Sequence, residues 1–201
     1  MNRIHMIVGS AMCALVLAGC TSEATEPPGP TASPTASESA TPTPTPTPTQ
    51  FQEQSDPELG IVFEDAPVLE GDAADVYNWI ATYNKEYWRT MTTNTLSPAF
   101  SILASPEVQA TMQQVADTNT NIQGSVGGVL HSRIGDIVVN GGTATGTVCD
   151  NYRDVTFTDP NGSYTPTDVG FGTPRHKTLT LTRIAAEARW MVLTSVVEGT
   201  C

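Results

Sequence analysis

Four cysteines are the residues best placed to do chemistry, and their settings differ. Cys20 closes Leu17-Ala18-Gly19-Cys20, a match to the bacterial lipobox: small residues fit the signal peptidase, and the Cys20 thiol accepts a diacylglyceryl group before cleavage. The segment ahead of it starts basic at Arg3 and runs apolar from Met6 to Gly19, as a secretory signal does. It falls short of the roughly 20 apolar residues that a spanning helix needs. Cys13 lies inside that signal and leaves with it. Cys149 and Cys201 then remain as an even pair in an oxidising compartment, where a disulfide is expected. A redox or metal role would need a CxxC spacing or further His and acidic ligands, and neither accompanies these two.

The other candidates for chemistry are His131, His176, Asp136, Asp150, Tyr152 and Asp154. Nucleophilic catalysis needs an activating base and an orienting third group, and metal catalysis needs several ligands around an open position. No such set is recognisable, so these residues read as edge and turn polars. Gly124-Ser-Val-Gly-Gly128 lacks the spacing of a phosphate loop or a nucleophile elbow and reads as a turn from helix to sheet. The expectation is a protein without catalytic residues, cofactor or metal.

Around these residues the chain divides in three: a signal peptide at 1–19, a lipidated Cys20 with a disordered Thr/Pro-rich linker at 20–58, and one domain at 59–201. The linker has almost nothing apolar to bury, and its prolines favour extended polyproline II, so it could reach on the order of 100 Å as a stalk. Residues 20–75 carry eleven of the 21 acidic side chains and no Lys or Arg, which places most of the net charge of −12 there. Nothing basic is clustered, and nucleic acid is not an expected partner.

The domain's first half has a helical period. Asp72 is expected to cap a helix carrying Val76, Ile80, Tyr83, Tyr87, Trp88 and Met91 on one stripe. Ser97-Pro98 and Ser105-Pro106 look like further helix starts, the second running from Pro106 to about Asp117 before Thr118-Asn-Thr-Asn121 breaks it. From Gln123 the period shortens to two, predicting four strands near Val129–Val139, Thr143–Thr156, Lys177–Ile184 and Arg189–Val197, paired as antiparallel neighbours. Helices followed by strands predict an α+β domain, with helices on a curved antiparallel sheet.

Four stretches, "VYNWIATYNKEYWRTM", "VNGGTATGTVCDN", "PRHKTLTLTR" and "RWMVLTSVVEGTC", resemble lipoproteins of high-GC Gram-positive bacteria with a domain similar to nuclear transport factor 2. The resemblance covers residues 59–201 and implies a cone, in which a bent sheet wraps a long first helix and leaves a pocket at the open end. Candidate lining residues are Tyr83, Tyr87, Trp88, His131, Asp136 and Trp190; the aromatic ones would otherwise fill the cone as core. The expected role is a binding or presentation module on the outer face of the cell membrane, held there by lipid on Cys20. Its partner would be a small apolar molecule or an envelope protein. Assembly through homodimerisation is the second reading, and acid/base chemistry in the pocket the third.

Overall fold

The apolar stripe of the first half becomes a long helix, α1 (Gly71–Thr93), which buries Val76, Ile80, Tyr83, Trp88 and Met91 together with the polar Asn84 and Thr90. These observations come from a computed structural model that describes residue 52 and residues 55–201. The expected signal peptide, the expected lipidation site Cys20 and nearly all of the expected linker lie outside the described residues. Ser55 and Asp56 already belong to the domain: Ser55 Oγ accepts from Phe63 N at 2.8 Å, and Asp56 bridges Ile61.

A short strand, β1 (Ile61–Phe63), precedes α1. Helices α2 (Phe100–Leu103) and α3 (Pro106–Asn121) follow it. Then come β2 (Ser125–Asn140), β3 (Thr143–Asp159), β4 (Gly162–Tyr164), β5 (Arg175–Ile184) and β6 (Arg189–Thr200). The four main strands form where the period of two predicts them, and every one is longer than expected. The sheet runs β1-β2-β3-β5-β6, with β4 on the end of β3. Pairing is antiparallel except that β1 lies parallel to β2, so the six-stranded sheet is mixed. The fold is α+β, as expected, but the all-antiparallel sheet is corrected by β1, whose parallel place requires the whole helical segment as a crossover.

Two helix boundaries also differ from expectation. Asp72 sits in the first turn of α1 after an N-cap Glu70, and its carboxylate meets Arg183 at 3.2 Å instead of capping. Helix α3 runs through Thr118–Asn121 because Ser105 caps it with Pro106 at the first helical position, and Ile122 and Gly124 close it by hydrogen bonds to Thr118 and Asn119. Polar residues with weak helix propensity continue a helix once its start is fixed and one face is packed.

Register shifts interrupt β2 against β3 between Val129 and His131 and between Gly135 and Val138, and bulges of this kind bend a sheet. Gly128, with φ +85°, sits at the first: a Cβ there would lie 2.2 Å from Asp154 O. The glycine cluster therefore serves close strand approach as well as the turn into the sheet. One face of the sheet packs on α1 through Leu130, Ile134, Val148, Leu179, Leu181 and Val192, all buried. The opposite face carries the Cys149–Cys201 disulfide, Cα atoms 6.1 Å apart, which ties the end of β6 to β3.

Candidate functional site

Period-two strands should place only apolar residues against α1, yet Asp150 and Lys177 lie on that inner face. Asp150 is in phase with Val148 and Tyr152, and Lys177 with Leu179 and Leu181; Asp150 is 0 % exposed and Lys177 6 %. Their side chains form an ion pair. Asn84 of α1, one turn from Ile80 and from Trp88, completes the group: Lys177 Nζ donates to its Oδ1 at 3.1 Å, and its Nδ2 donates to Asp150 Oδ1 at 3.1 Å and Ser132 Oγ at 2.7 Å. Burial of charge is costly unless it is paired and hydrogen-bonded, and both conditions are met.

Lys177 carries this network to the wall of a cavity of about 270 Å³ between α1, α3 and the inner face of β3, β5 and β6. Tyr83, Tyr87, Tyr152, Phe171, Arg175 and Ser195 are among its walls. The Lys177 ammonium lies 4.2 Å from the Tyr87 ring centroid. The hydroxyls of Tyr87 and Tyr152 are 2.7 Å apart, and Tyr83 is hydrogen-bonded to Ser195. Burial first, and the nearby Asp150 charge second, push the Tyr87 hydroxyl well above the ordinary tyrosine range; burial and then the neighbouring Tyr87 do the same for Tyr152. Both phenols therefore stay neutral donors at physiological pH.

A second recess, about 570 Å³, adjoins the first along α3, the start of β2 and the end of β3. It is mostly apolar, and it shares Met91, Val115 and Phe171 with the inner cavity. Phe171 packs against both Tyr152 and Phe157, with ring centroids 4.5 and 5.4 Å away.

Of the residues expected to line a pocket, the structure brings together Tyr83 and Tyr87 alone. Trp88 is fully buried and donates to Leu59 O at 3.0 Å, anchoring the segment before β1. Trp190 packs under the start of α1, beneath Arg183. His131 lies on the outer face, its ring between Glu64 at 2.9 Å and Asp154 at 2.8 Å with Arg153 alongside. Arg153 and then His131 hold the Glu64 carboxyl below its usual range against desolvation. Asp136 accepts from Thr147 at 3.0 Å and borders an outer-face hollow with His176 and the disulfide. Two consequences of strand phase explain these placements: His131 alternates with the buried Leu130 and Ser132, and Asp136 falls in the second bulge, where φ is 48°.

Sequence reasoning passed over Asn84, Lys177, Arg175, Phe171 and Ser195, and named Asp150 and Tyr152 without assigning them to a pocket. The available signal was a charged residue in phase with an apolar strand face, at Lys177 in "KTLTL" and Asp150 in "VCDNY". Among the described residues, no group of three or more His, Cys, Asp or Glu is arranged to hold a metal ion. No protein-family model matches the chain, and no curated protein matches it.

Proposed function

We propose that the chain is a non-catalytic binding module: a cone of the nuclear transport factor 2 type that holds a small, largely apolar molecule, carried on the outer face of the cell membrane by lipid on Cys20 and a Thr/Pro-rich stalk. The observation that supports it is the unfilled space beneath α1. A recess of 270 Å³ joined to one of 570 Å³ matches the size range of small-molecule sites, as does its composition of apolar walls with a few convergent polar groups. Had Trp88 and Trp190 filled this space, assembly would be the better reading, but both pack elsewhere.

Thermal-shift screening of the purified protein against lipids and aromatic small molecules tests the binding reading. A saturable shift that Val115→Trp abolishes supports it, since Val115 borders both recesses. Absence of any shift favours assembly, and turnover of a bound compound overturns the non-catalytic part. Membrane fractionation of Cys20→Ala tests the location: release from the membrane fraction with loss of the acyl mass is expected, and an unchanged distribution defeats it.

A further inference from the structure

Charge around the inner cavity does not balance. Lys177 is matched by Asp150, and its remaining reach is taken by Asn84 and the face of Tyr87. Arg175 has no such match. It stands across the β3–β5 register from Asp150, but its guanidinium turns the other way, donating to Gly170 O at 2.8 Å and lying 4.0 Å from the centroid of Phe171. Among the described residues no carboxylate pairs with it, and its guanidinium makes one hydrogen bond, leaving four of its five N–H donors open to a ligand. The Tyr87–Tyr152 pair adds a donor: two hydroxyls share one hydrogen bond, so one of the two protons is directed elsewhere.

The adjoining groove has the opposite character. Of the described residues lining it, only Asp159 is charged, and it is negative and occupied by Asn161, Gly162 and Tyr164. Its rim leaves Ile122 56 % and Val169 37 % exposed, apolar side chains with no cover. A head group with negative charge is thus attracted at the Arg175 end and repelled at the Asp159 end, while a hydrocarbon or aromatic tail finds apolar surface only along the groove. Phe171 lines both recesses beneath the guanidinium, so head and tail sites meet there.

We infer that the ligand of this site is a monocarboxylate amphiphile, its carboxylate held by Arg175 and the remaining hydroxyl proton of the Tyr87–Tyr152 pair and its apolar tail laid in the groove between α3 and the β2–β3 ends. A single uncompensated cation suits one negative charge, and the planar guanidinium suits a carboxylate's two oxygens. A doubly charged phosphate would leave one charge unmatched in a partly buried site. The inference rests on the binding reading above and adds the ligand's chemical class.

The experiment uses the full chain in lipid nanodiscs, with empty discs as background. It is titrated with parinaric acid and with the corresponding alcohol, fluorescent polyenes that share a tail and differ in the head group. The acid is expected to bind about tenfold more tightly than the alcohol, the effect of one charge-assisted contact. Arg175→Gln is expected to erase that preference and leave the alcohol's affinity within about twofold, the scale of a site whose apolar contacts are intact. Equal binding of acid and alcohol to the wild type overturns the carboxylate inference and leaves the binding reading standing. Binding of neither overturns both. Should Arg175→Gln fail to fold, the acid–alcohol comparison on the wild-type chain decides by itself.

Discussion

Lys177 and Asp150 form an ion pair on the inner face of the sheet, one strand apart and diagonal in register, with Asn84 of the crossing helix bridging them. Removing either partner strands the other charge in a dry setting. Lys177→Met and Asp150→Asn should each lower unfolding free energy, the lysine variant by about 3–5 kcal/mol. The double variant should recover part of that loss, because no unpaired charge remains. Urea denaturation of the four proteins measures the coupling, and strictly additive losses would contradict the pairing.

The disulfide closes a loop of 52 residues' separation, and on the chain-entropy model its loss costs about 4 kcal/mol. Cys201→Ser should show that loss in denaturant melts. It should also speed amide exchange at the end of β6, where Thr200 pairs with Arg175 and Val197 borders the cavity. A variant with unchanged exchange there would mean the bond does not hold the cavity wall.

Alkaline pH should act through the buried phenols. Tyr87 and Tyr152 have folded-state pKa values raised above their unfolded ones, so the stabilisation they carry is complete below about pH 10 and is lost as pH rises toward the folded values. Tyrosinate absorbance should therefore lag behind that of the unfolded chain and rise together with loss of near-ultraviolet circular dichroism. Early ionisation of all five tyrosines in the folded protein would contradict their burial.

Glycines at positive φ should not be equivalent. Gly128→Ala places a Cβ 2.2 Å from Asp154 O and should cost more than about 2 kcal/mol, strain and backbone clash together. Gly141→Ala, at φ +58° in the β2–β3 turn with nothing within 4 Å, should cost about 1 kcal/mol, the left-handed penalty alone. Thermal melts of the two variants make the comparison, and equal losses would argue against close approach at the bulge.

What the sequence determined by itself is what depends on near neighbours. A period of three to four over residues 76–91 dictated α1, and alternation dictated the four long strands, because each is set by local dihedral preference and by one apolar face. The α+β order followed from the order of those periods. With Cys13 and Cys20 assigned to the expected lipoprotein signal, Cys149 and Cys201 were the pair expected to bond, and the structure joins them. Strand β1 was out of reach because three residues carry no period, and its parallel partner lies beyond the helices.

The assembly of the site belonged to tertiary structure. Asn84, Asp150 and Lys177 are separated by 66 and 27 positions in the chain, and their juxtaposition depends on which helix stripe meets which strand register. The second bulge turned Asp136 to the outer face, a displacement no alternation pattern announces, since one residue of register reverses the side, whereas His131 follows plain alternation with Leu130 and Ser132. Whether aromatic residues fill a space or line it was likewise decided by packing: Trp88 left the cavity to hold Leu59, while Tyr83 and Tyr87 kept their hydroxyls on its polar side.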